Sequence, residues 1–191
     1  IVLKMDKWNI DALYSGTQKC ISCPPGLSPV SFSNEALQKI SSRKIKVPNW
    51  YLDVSMLTEY WSGKKRVYHH TAPVNMLYGL YQACYDILDE GLENVINRHF
   101  EMHKLLISKL ESIGLELFVD ESCRLPMLNV IKIPKGINDI KIRQILLNDF
   151  DIEIGGGLGH LSGKIWRIGL MGETAKIQNI QRLMDALIKI L

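Results

Sequence analysis

The sequence lacks any apolar run near the roughly 18 residues that a membrane helix needs, although 47% of its 191 residues are hydrophobic. It also carries little net charge, +3, and its basic residues are scattered. The densest basic cluster is Lys64-Lys65-Arg66, which we interpret as a solvated loop and not as a nucleic-acid site. These absences argue against a membrane-spanning or nucleic-acid-binding protein and favour an ordinary globular composition.

Cysteine is scarce, with four residues in the chain. Cys20 and Cys23 form a Cys-x-x-Cys pair, a spacing found in redox and zinc sites. Structural zinc needs four ligands and no second pair follows at a suitable spacing, so we predict no metal site. The chain opens on Ile1 without a signal-peptide pattern. We therefore expect an intracellular protein whose sequence begins inside a longer polypeptide.

The pattern of apolar residues changes near residue 90. Before it we expect loops, short strands and helices, and after it strands alternating with helices in a small α+β unit. We therefore predict two domains, residues 1–90 and 91–191. The predicted helices are Asn34–Ile40, Asp53–Trp61, Ala72–Leu88, a helix that starts after Gly91 and runs to about Ser112, Asp139–Asn148 and Ala175–Ile190. The predicted strands are Leu27–Phe32, Leu115–Val119, Met127–Ile133, Ile152–Ile154 and Ile165–Leu170.

A lysine, Lys19, follows a short apolar stretch and a Ser-Gly turn in the segment Tyr14–Lys19. A lysine amine forms a Schiff base with an aldehyde when it is neutral, a form that burial and nearby positive charge favour. By its spacing alone, Lys19 is better interpreted as a solvated surface cation than as a catalytic residue.

The segment Tyr68-His69-His70-Thr71 precedes a predicted helix with Pro73 in its first turn. A helix start offers unpaired amides that suit a phosphate, and the hydroxyls of Tyr68 and Thr71 would add donors. The adjacent histidines also raise the alternative of a metal, which we do not favour because no third ligand is evident.

Glycines cluster at Gly155-Gly156-Gly157 and Gly159, where they permit a positive φ and close approach of the backbone. The spacing does not match the dinucleotide fingerprint at a helix start. Arg167 follows inside an apolar strand. An arginine in that setting is either paired with an acid or directed at an anionic ligand such as a carboxylate, and the sequence leaves both alternatives open.

Taken together, the motifs resemble the alanine–glyoxylate/serine–pyruvate aminotransferases of class V, in the family's order and at close to its spacing. The motifs that carry the resemblance are Tyr14–Lys19, Pro24–Gly26, Tyr68–Thr71, Gly91–Asn94, Arg124–Pro126, Gly156–Gly159 and Arg167–Gly169.

The resemblance implies the α/β type I fold of pyridoxal-phosphate (PLP) enzymes, with the C-terminal part of the large domain followed by a small α+β domain. It implies that Lys19 is catalytic and holds PLP as a Schiff base, and that Gln18 helps to bind the cofactor. Tyr68 and Thr71 would reach the PLP phosphate of the partner subunit, which implies a homodimer. Arg167 would bind the substrate α-carboxylate.

The implied reaction moves an amino group from alanine or serine to glyoxylate or pyruvate. The implied compartment is the peroxisome, with the mitochondrion and the cytoplasm as alternatives. The family's remaining PLP ligands lie upstream of the lysine, and Asp6 and Asp11 are too close to Lys19 to be the aspartate among them. We therefore expect this chain alone to lack part of the cofactor site.

Three alternatives remain open. A related class V enzyme such as a 3-hydroxykynurenine transaminase would share the lysine, the tyrosine motif and the arginine. A cysteine desulfurase is less favoured, because Cys123 precedes a turn and a strand and is interpreted as a packing residue. A catalytically inert fragment or dimerisation module is the alternative outside enzymes.

Overall fold

The computed structural model describes residues 1–62 and 67–191, so the basic cluster at 64–66 lies outside the described residues. The chain divides into two compact units: the first contains residues 1–18 and 23–82, and the second contains residues 19–22 and 83–191. The short segment with Lys19 thus groups with the second unit. The predicted domain boundary at residue 90 stays a prediction.

The first unit begins with an antiparallel hairpin of β1 (Ala12–Tyr14) and β2 (Val30–Phe32), in which Leu13 lies opposite Ser31. Three helices follow, and the last contributes its residues up to Gln82 to this unit. These helices are α1 (Asn34–Ser41), α2 (Val54–Ser62) and α3 (Val74–Glu90).

Local capping explains where α1 and α3 begin. The Ser33 hydroxyl accepts a hydrogen bond from the Ala36 amide at 3.0 Å, so the predicted cap of α1 is confirmed. Helix α3 begins one residue after Pro73, whose carbonyl accepts from the amides of Met76 and Leu77. Pro73 therefore lies at the entry of α3 and not within its first turn as predicted.

The second unit contains an antiparallel three-stranded sheet in the order β3 (Leu128–Lys132), β5 (Ile165–Gly169), β4 (Gly155–Gly156). Helices α4 (Leu92–Ser112), α5 (Asp139–Phe150) and α6 (Ile177–Ile190) complete it. No helix in the described ranges is long and apolar enough to cross a membrane.

Side chains along β5 alternate between the two faces of the sheet, and Ile165 is buried on the face opposite Trp166 and Ile168. Trp166 and Ile168 are buried on the core face, beside Ile131 of β3. Arg167 lies between them in sequence and is only half-buried, on the opposite face. The core beneath the sheet also includes the fully buried residues Leu106, Leu110, Leu146, Ala175, Ala186 and Leu187.

Two predicted strands are wrong. Residues 115–119 form a single bridge, Leu117 to Ile131, because the segment lies between the positive-φ Gly114 and a 3-10 turn that starts at Glu121. Residues 152–154 precede the strand that does form, β4, which consists of glycines. The glycines expected to supply a loop with positive φ therefore pair in the sheet, and of this cluster only Gly159 has a positive φ.

Candidate active site

Lys19 lies on a tight turn shortly after β1. The Ser22 amide donates to the Lys19 carbonyl at 2.9 Å, which closes the turn. The Lys19 side chain is exposed, and in the described part of the chain it forms no hydrogen bond or ion pair. Its amine is thus sterically accessible to a ligand.

A buried threonine holds the segment that leads into this turn. Thr17 is completely buried, and its hydroxyl lies 3.1 Å from the Pro24 carbonyl, to which it donates, and 3.4 Å from that of Leu27. The Cys23 amide donates in turn to the Thr17 carbonyl. Thr17, which immediately precedes Gln18 and Lys19, is therefore held by hydrogen bonds to the loop that contains Pro24, Pro25 and Gly26.

Gln18 folds back over a glycine. A Cβ atom at Gly16 would lie 2.5 Å from the Gln18 Oε1 atom, so a larger residue there would turn the exposed Gln18 carboxamide aside. The carboxamide is exposed and thus accessible to a ligand.

The hydroxyls of Tyr68 and Thr71 lie 2.5 Å apart, in the irregular segment just before α3. Both side chains are exposed, and the Tyr68 side chain is 66% accessible. Paired hydroxyls close to a helix start provide hydrogen-bond donors for a phosphate. The structure therefore brings these two predicted ligands together.

The two histidines between them, His69 and His70, bond to each other, and His69 also contacts Trp50. The His69 Nε2–H donates to the Trp50 carbonyl at 3.1 Å, so its Nδ1 accepts from the His70 Nδ1–H at 2.8 Å. The His69 ring also stacks on Trp50 with the ring centroids 4.1 Å apart. Both ring nitrogens of buried His69 are thus occupied, which leaves neither for a metal.

Arg167 is held across the sheet by glycine backbone. Its Nε–H donates to the Gly156 carbonyl at 2.7 Å, and its register partners are Val130 and Gly155. A Cβ atom at Gly155 would lie 3.2 Å from the Arg167 Nη2 atom, so the guanidinium crosses the space that this glycine leaves open. Within residues 1–62 and 67–191, no carboxylate lies in ion-pair range of Arg167, and both terminal nitrogens lack acceptors.

The turn that carries Lys19 contacts a second turn, Gly172–Thr174, in the same unit. The Glu173 amide donates to the Ser22 hydroxyl at 2.8 Å. A Cβ atom at Gly172 would overlap the Ser22 Oγ atom and lie 2.9 Å from the Cys20 carbonyl. The two turns therefore meet with no space for a side chain at Gly172.

Two side chains of helix α4, His99 and Arg98, form hydrogen bonds with the turn Gly172–Thr174 and the residue after it. The Gly172 amide donates to His99 Nε2 at 2.9 Å, while His99 Nδ1–H donates to the Val95 carbonyl at 2.6 Å. Arg98 donates through Nη1 to the carbonyls of Gly172 and Ala175. The tautomer of His99 is fixed by these two hydrogen bonds.

An ion pair orients Arg98. Its Nε and Nη2 donate to the two oxygens of Glu90 at 2.6 and 2.8 Å, a bidentate arrangement. The Arg98 hydrogen bond holds the pKa of the Glu90 carboxyl below its ordinary value, although partial burial opposes this effect. Glu90 also raises the pKa of Arg98.

The Cys-x-x-Cys pair does not form a disulfide: Cys20 and Cys23 are both free thiols. Cys23 is buried, and its Sγ lies 3.9 Å from the Met76 carbonyl, near the closely packed Gly79. Within the described ranges, no group of three or more His, Cys, Asp or Glu side chains is arranged to hold a metal ion.

An open cavity of about 1160 Å³ lies within the first unit. Apolar and aromatic side chains dominate its wall, including Tyr14, Tyr60 and Leu77, and His70 is its histidine. It contains neither the paired hydroxyls of Tyr68 and Thr71 nor Gln18. Because a phosphate or carboxylate needs polar donors, we do not assign this apolar cavity to cofactor or substrate.

With this geometry established, the sequence can be placed in a family: the family "Aminotransferase class-V" matches residues 1–178. The chain belongs to the class V aminotransferases, and its fold is that of the PLP-dependent type I enzymes. The predicted family and fold class are thereby confirmed.

Individual relatives agree with this placement. The chain is 44% identical over 186 residues to an alanine–glyoxylate aminotransferase of Felis catus, covering 96% of this chain and 45% of that protein. It is 37% identical to a (S)-ureidoglycine–glyoxylate transaminase of Bacillus subtilis, covering 93% and 47%. The crystal structure of an alanine–glyoxylate aminotransferase from Nostoc sp. superposes with a TM-score of 0.96 at 44% identity, covering 99% of this chain and 50% of that one. The chain thus spans about half the length of the relatives it matches.

Sequence reasoning missed the residues that fix the neighbourhood of Lys19. Thr17 stands inside the lysine motif but had no assigned role, and its buried hydroxyl is evident only from the fold. The contact between Ser22 and Gly172 joins positions far apart in sequence. At this contact, the only hint in the local sequence is the glycine itself, which in the structure adopts a positive φ of 56°.

Proposed function

We propose that this chain supplies the catalytic lysine and the substrate-binding arginine of a PLP-dependent transaminase that moves an amino group from alanine or serine to glyoxylate or pyruvate. The chain is an aminotransferase by family, and glyoxylate as acceptor is supported by relatives named for it. The observation that carries the proposal is the free, exposed amine of Lys19 on a turn anchored by buried Thr17.

The side chains present fit PLP. The unpaired amine of Lys19 suits its aldehyde, and the adjoining hydroxyls of Tyr68 and Thr71 suit its phosphate. When bound, PLP supplies the electron sink that stabilises negative charge at the substrate α-carbon. Gln18, beside Lys19, provides a further amide for contact with the cofactor.

Lys19 and Arg167 then perform the protein's part of the reaction. Arg167 binds the substrate α-carboxylate through its free terminal nitrogens, because a guanidinium fork matches a carboxylate in two parallel hydrogen bonds. With substrate and PLP bound, the free Lys19 amine would take the proton from the substrate α-carbon as a base and would deliver it as an acid to the cofactor, not back to that carbon. Binding of a keto acid lets the same two residues act in the reverse direction.

The proposal extends to assembly and location. Tyr68 and Thr71 serve the site of the partner subunit in a homodimer, and the enzyme works in the peroxisome; both follow from the family resemblance. The remaining PLP ligands are expected from sequence upstream of this chain, so function is assigned to the polypeptide of the complete reading frame.

The test is amino transfer by that polypeptide from alanine to glyoxylate, followed as pyruvate and glycine formed. We expect activity that is lost in Lys19→Ala and retained in a control at another exposed lysine, Lys104→Ala. Activity with 3-hydroxykynurenine but not with alanine would favour the related transaminase. Absence of activity with every donor would favour the inert module.

A further inference from the structure

We propose that Ser22, Gly172, His99 and Arg98 form a positioning network that fixes the turn of Lys19, and that this network sets the rate of proton transfer by the lysine. The inference rests on the proposed function and assigns these residues no direct chemical role. The network is built within the second unit, to which residues 19–22 belong.

The contact at its centre is steric. Gly172 is buried with φ 56°, and any side chain there would overlap Ser22 and crowd the Cys20 carbonyl. Ser22 itself has φ 62°, a conformation that non-glycine residues seldom adopt. Its hydroxyl is placed there to accept from the Glu173 amide. A strained serine against a buried glycine indicates a junction whose geometry is strictly fixed.

Two side chains of α4 hold the backbone of Gly172 in place at this contact. His99 is 5% exposed and accepts from the Gly172 amide, while Arg98 donates to the Gly172 carbonyl. Both polar groups of Gly172 are therefore occupied by consecutive helix residues. Glu90 holds the Arg98 fork in the orientation that this requires.

The turn Gly172–Thr174 begins three residues after the end of β5, the strand that carries Arg167. The network therefore connects the proposed cofactor lysine with the strand of the proposed carboxylate arginine through short contacts, which are buried at His99 and exposed at Ser22. A displacement of the lysine amine by about 1 Å can cost on the order of 100-fold in rate, so loosening this junction should lower kcat more than it changes KM.

Three variants of the full-length PLP-loaded enzyme test this. His99→Leu removes the acceptor, His99→Gln restores one near the position of Nε2, and Ser22→Gly removes the hydroxyl while relieving the positive φ. His103→Leu is the matched control, since His103 lies on the same helix and bonds to Asn129. Each variant is measured for kcat, for KM of the amino donor and for hydrogen exchange of the peptide spanning residues 17–24.

We expect His99→Leu and Ser22→Gly to lower kcat at least several-fold with KM nearly unchanged, and to speed exchange of that peptide by several-fold to about tenfold. His99→Gln should recover most of both, and His103→Leu should alter neither. If His99→Leu does not fold, Ser22→Gly decides the matter. If the wild type is active and both Ser22→Gly and His99→Leu match it in activity and in protection from hydrogen exchange, this inference alone is overturned. If the wild type shows no transamination, the proposed function is overturned.

Discussion

Arg167 lies directly opposite Gly155 in the sheet of the second unit, and its Nη2 atom would lie only 3.2 Å from a Cβ atom at Gly155. The glycine pair of β4 is therefore a support for an arginine and not a flexible loop. With Nε bonded to the Gly156 carbonyl, the terminal nitrogens remain for a ligand.

Replacing Arg167 should weaken substrate binding and leave the cofactor in place. Arg167→Ala removes the charged fork, and hydrogen bonds to charged groups contribute about 1.5–3 kcal/mol. We therefore expect KM for the amino donor to rise on the order of 10- to 100-fold. Arg167→Lys should recover only part of this, because an ammonium does not form the bidentate pair. Unchanged substrate affinity in Arg167→Ala would exclude the carboxylate role.

Substitution of the supporting glycine should produce a weaker form of the same defect. In Gly155→Val the branched side chain must displace the guanidinium, so KM should rise with cofactor content unchanged. Gly169→Val is the matched control, because a Cβ atom there meets only the end of Met171 at 3.7 Å. Steady-state kinetics on the pair will separate a local effect on Arg167 from a general effect on the sheet.

A part-buried hydrogen bond between Trp166 and Asp139 should contribute to the stability of the second unit. The Trp166 Nε1–H donates to Asp139 Oδ1 at 2.9 Å, and the Trp166 side chain is fully buried. Trp166→Phe removes that donor and some packing volume, so we expect a loss of about 1.5–3 kcal/mol in the free energy of unfolding. Denaturant unfolding measures this, with the exposed Trp8→Phe as a control that should change by less than about 0.5 kcal/mol.

Acidification should destabilise the second unit through its bonded carboxylates. Hydrogen bonding from Arg98 lowers the pKa of Glu90 below the ordinary value of 4.5. Hydrogen bonds from Arg143 and, less strongly, Trp166 lower the pKa of Asp139 below 3.8. Because these pKa values are depressed in the folded state, the stability they contribute is present above the ordinary values and is lost as the pH falls through the depressed ones.

Thermal unfolding between pH 6 and pH 3 is the measurement for this effect. We expect the melting temperature to fall most steeply below about pH 4.5, and Glu90→Gln to flatten part of that fall. A Glu90→Gln variant with the same pH profile as the wild type would show that this ion pair does not contribute to acid stability.

The proposed sharing of sites between subunits can be tested by complementation. In a homodimer where Tyr68 and Thr71 serve the partner's lysine, Lys19→Ala and the double variant Tyr68→Phe/Thr71→Val should each be nearly inactive. Mixed dimers contain one intact site, so unfolding and reassembling the two variants together should restore activity. If the mixture regains no more activity than the variants treated separately, the sharing of sites between subunits is excluded. Lys19, Tyr68 and Thr71 would then belong to one subunit's site or to no site.

Periodicity predicted most of the helices, since α3, α4 and α6 have long apolar repeats that tertiary contacts reinforce. It failed where strand formation depends on a distant partner. Residues 115–119 have a suitable apolar pattern but form only one bridge, while Gly155 and Gly156 have no strand propensity and still pair with β5.

The candidate site shows the same division. Lys19, Tyr68, Thr71 and Arg167 stand in local motifs that a family resemblance can transfer. The contacts around them cannot be inferred locally, because the hydrogen bond between Glu173 and Ser22 joins residues 151 positions apart. Such contacts depend on the packed fold and are specified by no single segment.

The central claim is tested most directly by identifying the residue that binds the cofactor. The polypeptide of the complete reading frame is incubated with PLP, reduced with borohydride, digested and mapped by mass spectrometry. The account predicts a single pyridoxyl-modified peptide with the added mass on Lys19, absent after Lys19→Arg. Modification at another lysine, or no modification together with no cofactor absorbance, would contradict it.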